Sequence, residues 1–267
     1  MHFISISQSF LYSCNGVVKM FIKIWLFFTI SSVFLTNCVK ISASLGRIVG
    51  GQTTSAEEYP FMVSLRFRDK HICGGTIVSN RYILSAAHCL VRISPFLFTI
   101  ITGTSSKHEI GDVYFVHFPI VHSFNINNGS NDIALLRTTS NIRFHDKVQP
   151  VELTDVDINE NQYPVTMIGW GRLEYTGPTS AFLQKIELNI IDNVTCKKEW
   201  KFINEGHICV ATTLKQGSCL GDSGGPIIAN DRQIGIISFG KMCAAGKPDV
   251  ATRIYHYYDW VRSYVLF

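Results

Sequence analysis

Ser223 lies within Gly221–Pro226 (GDSGGP), where glycines stand close on both sides of a hydroxyl. Glycine permits backbone angles closed to other residues and lets a substrate approach the chain closely. Such a turn can present a hydroxyl and aim backbone N–H groups at one point. A serine hydroxyl is a weak nucleophile at neutral pH and needs a general base, most simply a histidine oriented by a carboxylate. The chain offers His88 in Ser85–Cys89 (SAAHC) and Asp132 in Asn131–Leu136 (NDIALL), each beside an apolar strand-like run. Singly these are weak signals. The chain has nine histidines, an aspartate before ALL also reads as a turn residue, and a glycine-rich turn need not catalyse anything. Their conjunction, in the order His, Asp, Ser, points to acyl transfer.

The elements that must hold these residues are mostly strands. Phe61–Arg68 alternates strictly, with Phe61, Val63, Leu65 and Phe67 opposite Met62, Ser64, Arg66 and Arg68, the pattern of a half-buried strand. Ile186, Leu188 and Ile190 alternate with Lys185, Glu187 and Asn189 in the same way. Short apolar runs at Tyr82–Leu84, Ile133–Leu136, Val165–Ile168 and Ile234–Ile237 are separated by Gly, Asn, Ser and Pro. Many short strands with turn signals predict an all-β sandwich or barrel. Tyr257, Trp260, Val261, Tyr264 and Val265 instead recur at helical spacing and predict a short amphipathic C-terminal helix. The polar stretch Phe144–Pro150 offers a boundary between two halves.

Composition sets the compartment. The 267 residues are 46% hydrophobic and 12% aromatic, enough for a substantial core and against disorder. The net charge of +4 is too small to imply nucleic-acid binding. All of it comes from Lys19, Lys23, Lys40 and Arg47, so residues 48–267 are formally neutral. Ile24–Leu35 is an apolar run of twelve residues behind two lysines, followed by the small residues Ser42, Ala43 and Ser44. That is the layout of a secretory signal, expected over residues 1–43, with Met20 as an alternative start. A membrane anchor would need about 20 apolar residues. Secretion favours disulfides. The cysteines beyond the leader, at 73, 89, 196, 209, 219 and 243, allow fifteen pairings, and spacing alone does not choose among them. No CxxC occurs and the Lys107–Asp112 stretch (KHEIGD) reads as a solvated turn, so neither a metal nor another cofactor is expected.

These residues carry a family resemblance. Arg47–Gly51 (RIVGG), Cys73–Ser79 (CGGTIVS), Leu84–Cys89 (LSAAHC), Asn131–Leu136 (NDIALL), Gly169–Gly171 (GWG), Ser218–Pro226 (SCLGDSGGP), Ser238–Gly240 (SFG) and Pro248–Ile254 (PDVATRI) resemble the chymotrypsin-like, trypsin-fold serine endopeptidases, in their invertebrate form with few disulfides. The resemblance spans residues 48–267. It implies two packed six-stranded antiparallel β-barrels, the first over about 48–147 and the second over about 148–255, with a C-terminal helix over about 256–267. It implies catalysis by His88, Asp132 and Ser223, an oxyanion hole from the N–H groups of Gly221 and Ser223, and Ser238 supporting the aspartate. It implies the pairs Cys73–Cys89, Cys196–Cys209 and Cys219–Cys243, each worth about 3 kcal/mol in the chain-entropy model. Residues 44–47 become an activation propeptide. Cutting Arg47–Ile48 would free an α-amino group to pair with Asp222, and Arg47 implies a trypsin-like activator or self-activation.

By the same resemblance Gly217, Ser218, Gly240, Asp249 and Ala251 surround the primary specificity pocket, with Ser238–Gly240 pairing with substrate backbone. Trypsin-like relatives carry an aspartate where this chain has Gly217, and Phe239 and Ala251 stand for a usual Trp and Tyr. A chymotrypsin-like or broad preference is expected, against a tryptic one acting through Asp249. Protein or peptide substrates and protein protease inhibitors are the expected partners of a secreted monomer, with no stable membrane association. Asn128-Gly-Ser130 and Asn193-Val-Thr195 fit the N-glycosylation sequon. The rival from another class, an inert homologue acting as a binding protein, would lack part of this machinery, whereas Ser223, His88, Asp132 and Gly221 are all present.

Overall fold

In the computed structural model the described residues are 48–91, 93–241 and 243–265. The leader, the propeptide and Arg47 lie outside them. A two-residue strand β1 (Gln52–Thr53) comes first. Six strands follow: β2 (Met62–Phe67), β3 (Lys70–Ile77), β4 (Tyr82–Ser85), β5 (Phe98–Thr102), β6 (Asp112–Val121) and β7 (Ala134–Thr138). They close into an antiparallel barrel in the order β2-β3-β4-β7-β6-β5. After a short β8 (Glu152–Leu153) come β9 (Pro164–Gly169), β10 (Gln184–Ile191), β11 (His207–Ala211), β12 (Pro226–Ala229), β13 (Arg232–Phe239) and β14 (Asp249–Arg253). The order β10-β11-β14-β13-β12-β9, with β9 returning to β10, closes the second barrel. A short helix α1 (Asn193–Glu199) interrupts it, and α2 (Ile254–Tyr264) ends the chain.

The strands form where the apolar runs fall, and closure removes the exposed edges a flat sheet would present. Strand β10 follows its sequence pattern, with Ile186, Leu188 and Ile190 buried and Glu187 and Asn189 exposed. Strand β2 does not. Met62 and Ser64, read as the solvent face, are 2% and 0% exposed. One face of β2 lines its own barrel, and Ser64 on the other reaches His71, beneath the serine turn of the second barrel. A second difference concerns the barrel boundary. Residues 48–53 are expected in the first barrel, yet Gln52 and Thr53 pair with Lys185 and Gln184 of β10. Ile48 is buried in the second barrel's core with Val165, Ile186 and Ile227.

Helix α2 begins two residues before the expected 256 and buries Ile254, Tyr257 and Val261. That face joins the same apolar cluster as Leu84 and Leu135 of the first barrel. Helix α1 is capped by Asp192, whose side chain accepts the Thr195 N–H at 2.8 Å. Three disulfides join Cys73 to Cys89, Cys196 to Cys209 and Cys219 to Cys243. Among the described residues no helix is long and apolar enough to cross a membrane.

Candidate active site

His88 sits in a short 3-10 turn, Ala87–Cys89, directly after β4, and its neighbour Cys89 is tied to β3. Asp132 precedes β7 and is 1% exposed. Its Oδ1 accepts the His88 backbone N–H at 2.8 Å and its Oδ2 accepts His88 Nδ1 at 2.7 Å. A carboxylate can only accept from that ring, so Nδ1 carries a proton, and it is the neutral form of the ring that has its lone pair on Nε2. The second barrel completes the grip. Ser238 Oγ donates to Asp132 Oδ2, and Thr252 Oγ1 donates to the Asp132 carbonyl at 2.7 Å. His88 and Ser223 line one cavity of about 280 Å³. Among the described residues no hydrogen bond joins the two side chains.

The serine turn is fixed around Ser223. Asp222 N–H donates to Cys219 O (3.0 Å), Gly224 N–H to Ile237 O (2.8 Å) and Gly225 N–H to Asp222 O (2.9 Å). Gly74 of β3 donates its N–H to Ser223 O at 2.8 Å, a tie between the barrels. Gly221 N–H and Ser223 N–H, by contrast, donate to no group among the described residues. Gly221 adopts φ 101°, which leaves its carbonyl facing His71 Nε2 at 2.8 Å. That carbonyl only accepts, so His71 donates from Nε2 and its Nδ1 accepts the Ser64 hydroxyl at 2.8 Å. Burial, reinforced by the charges of Lys107 and Arg66, pushes the His71 pKa down to about 4, so the ring is a neutral brace. Ser64 and His71 went unread in the sequence, because their roles depend on a contact 150 residues away.

Asp222 turns inward and is 0% exposed. Its Oδ1 accepts Gly171 N–H at 2.7 Å and its Oδ2 accepts Cys219 N–H at 2.9 Å. A Cβ added to either Gly169 or Gly171 would come within 2.2 Å of an Asp222 oxygen, which explains the glycines of the GWG motif. Among the described residues the carboxyl has no cationic partner. Burial pushes its pKa up to about 7, the two backbone bonds oppose that, and the Asp249 charge adds to it. Ile48, expected to supply a partner once cut free, is 0% exposed with φ 46°. Arg47 lies outside the described residues.

The 280 Å³ cavity is lined by Ser218, Ser238, Phe239 and Gly240 from the expected pocket set. It is also lined by Tyr175, Leu220 and Cys243, which no motif in the sequence marks for the pocket. Gly217 and Asp249 do not line it. Asp249 is 3% exposed and lies behind Ser218, whose N–H it accepts at 2.7 Å. Its Oδ1 is so near Gly240 that a Cβ there would meet it at 2.2 Å. Burial pushes the Asp249 pKa up to about 6 against two hydrogen bonds from Ser218. The carboxyl is part of the pocket's backing, not its lining. Ala251 is buried in the second barrel's core. The only cluster of metal-ligand type among the described residues is His88 with Cys73 and Cys89, whose sulfurs are spent in a disulfide.

Two barrels meeting over a histidine, an aspartate and a serine on a glycine turn define a hydrolase of the double-barrel type. A family model described as Trypsin matches residues 48–261, and the chain belongs to that family. It is a serine-type endopeptidase of the chymotrypsin and trypsin fold. The chain is 43% identical over 218 residues to Chymotrypsin-2 of Vespa crabro, covering 81% of this chain and 99% of the relative. It is 31% identical over 253 residues to Trypsin, alkaline C of Manduca sexta, covering 89% and 98%. Among solved structures it resembles neuropsin, a serine protease expressed in the limbic system of mouse brain. The TM-score there is 0.74 at 27% identity, covering 80% of this chain and 98% of neuropsin.

Proposed function

We propose that the chain is a secreted endopeptidase, made as a zymogen, that hydrolyses peptide bonds through an acyl-enzyme on Ser223. The supporting observation is the orientation of His88. Asp132 fixes its Nδ1–H, and the ring lines the cavity that Ser223 shares. Its Nε2 lies 3.8 Å from the Cys89 sulfur, which as half of a disulfide has no proton to give. Ser223 Oγ attacks the scissile carbonyl as His88 Nε2 takes its proton, and the same nitrogen then protonates the leaving amine. Asp132 holds the tautomer and stabilises the imidazolium. The unbonded N–H groups of Gly221 and Ser223 receive the oxyanion, where loss of one donor costs about 10²–10³ in rate. Water then repeats the sequence and releases the acid.

Activation follows from the buried Asp222. An unpaired buried carboxylate is costly, and a cation beside it lets the turn hold its shape. Cleavage of Arg47–Ile48 supplies that cation as the Ile48 α-ammonium. At the primary pocket, Gly217 brings no charge, Gly240 brings no side chain, and the Asp249 carboxyl is engaged by Ser218. These features support a preference for large apolar residues, or a broad one, over a tryptic preference. Fluorophosphonate labelling of the trypsin-cut chain, lost in Ser223→Ala, tests the chemistry. Absence of labelling in the cut wild type would favour an inert, binding homologue. Cleavage of a mixed peptide library reads the pocket, and cutting confined to Arg and Lys would refute the apolar preference.

A further inference from the structure

The sequon Asn128-Gly-Ser130 lies on the loop that leads into β7, beside Asp132. That loop folds as a small hairpin. Asn125 N–H donates to Ser130 O at 3.0 Å and Gly129 N–H donates to Asn125 O at 2.9 Å. Ser130 N–H donates to the side-chain Oδ1 of Asn128 at 3.0 Å. The turn therefore uses the oxygen of the Asn128 amide, and Nδ2 has no partner among the described residues. The hairpin is seated firmly. Gly129 adopts φ 68°, and a Cβ on it would meet the Phe239 ring at 2.8 Å.

Phe239 is also a wall of a second cavity of about 300 Å³, which it shares with Phe124, Ile126 and Phe202. His88, Asp132 and Ser238 line this cavity from the catalytic side, and Asn128 borders it. Asn193, in the other sequon, differs. Its Nδ2 donates to Asn204 O at 3.4 Å, its Oδ1 is buried, and it lines neither of these two cavities.

We propose that Asn128 carries an N-linked glycan, and that this glycan is a size filter over this second cavity. Bulky partners, above all folded protein inhibitors and long substrates, are held off, while small substrates pass. The proposal rests on the secretory reading of the leader, because the sugar donor is a lipid-linked oligosaccharide pyrophosphate of that route. Nδ2 forms a bond to C1 of the first sugar, the C1–O bond to pyrophosphate breaks, the lipid pyrophosphate leaves, and the nitrogen gives up one proton. A glycan is bulky and hydrophilic. Its root stands at the rim of that cavity, on a hairpin that packs against Phe239 at Gly129.

The test uses the full chain with its own leader, secreted from insect cells and cut with trypsin. The peptide bearing Asn128 is weighed before and after peptide N-glycosidase in heavy-oxygen water, which marks a formerly glycosylated Asn as Asp. Native enzyme, endoglycosidase-trimmed enzyme and Ser130→Ala, which abolishes the sequon but keeps Asn128, are then compared. The probes are a single-residue chromogenic amide, a long peptide spanning the cavity, and a folded protein inhibitor of serine proteases. Trimming and Ser130→Ala should raise kcat/KM on the long peptide and tighten the inhibitor by roughly tenfold, the scale of one obstructed subsite. The single-residue amide should change far less. Fluorophosphonate titration of the same samples reports the protease reading separately. A full titre with Asn128 unmodified, or a long-to-short substrate ratio that trimming leaves unchanged, would overturn the filter alone. A zero titre on a glycosylated chain would overturn the protease reading and the filter with it.

Discussion

Cutting the chain after Arg47 should reverse the way its stability responds to pH, and Asp222 sets the size of that reversal. The carboxyl is fully buried, accepts among the described residues only the N–H groups of Gly171 and Cys219, and has its pKa pushed from 3.8 up to about 7. A folded-state pKa above the unfolded one means that the neutral acid stabilises the fold. That contribution is fully present below about pH 4 and is lost as pH rises through about 7. Carrying a carboxyl across that interval corresponds to about 4 kcal/mol. In the cut chain the proposed Ile48 ammonium pulls the Asp222 pKa down instead. Its contribution is then present above the unfolded pKa and lost on acidification. For a domain of this size each kcal/mol moves Tm by about 2–4 °C, so the cut-minus-uncut difference in Tm should widen by about 10 °C between pH 4 and 7. Calorimetry on Ser223→Ala protein with disulfides intact, before and after trypsin, measures this without self-digestion. A difference that stays constant with pH, or narrows, would refute the reasoning. So would an Asp222→Asn chain that keeps the full pH-dependent gap.

Three further outcomes are expected. Asp132→Asn should lower kcat by about 10⁴, because the imidazole loses the acceptor that fixes its tautomer, with KM for a small amide little changed. Ser238→Ala removes the hydroxyl that Asp132 accepts from the second barrel, a bond to a charged group worth about 1.5–3 kcal/mol, and should cost between roughly ten- and a hundredfold in kcat. Because the Asp249 pKa is pushed up to about 6, its charge appears as pH rises through that value. The ratio of cleavage after Arg to cleavage after Phe should therefore rise between about pH 5 and 7 and be flat in Asp249→Asn. Initial rates on paired peptides, whose ratio cancels the titration of shared groups, decide it.

Much of the fold was legible because β strands write their burial into alternation, as Ile186, Leu188 and Ile190 do. Where both faces of a strand are covered, alternation misleads: it marks Met62 and Ser64 of β2 as a solvent face, and both are buried. The membership of residues 48–53 in the second barrel was illegible, since Gln52 and Thr53 have partners 131–133 residues later and no local pattern announces them. Helix α1 buries only Cys196, so it offers no apolar stripe to read. At the site, the residues with distinctive chemistry stood out. The neutral brace of Ser64 and His71 did not, because a histidine's role depends on what it faces. Asp249 was legible as a carboxylate near the pocket but not as one turned behind Ser218, since sequence carries no side-chain direction.

The seam between the barrels behaves as an alignment gauge. Thr252 and Ser238 of one barrel hold an aspartate of the other, Gly74 N–H meets Ser223 O, and Thr76 Oγ1 donates to Gln233 Oε1 at 2.7 Å deep in the same joint. Each barrel keeps its own ring of strand bonds, so a slippage of about an ångström would leave both rings whole. The same slippage would lengthen all four ties together and carry His88 off line from Ser223. Hydrogen bonds weaken steeply with misalignment, so turnover registers a displacement that secondary structure does not. Under rising heat or pressure the chain should therefore fall silent as a catalyst while its circular dichroism is still that of the intact fold.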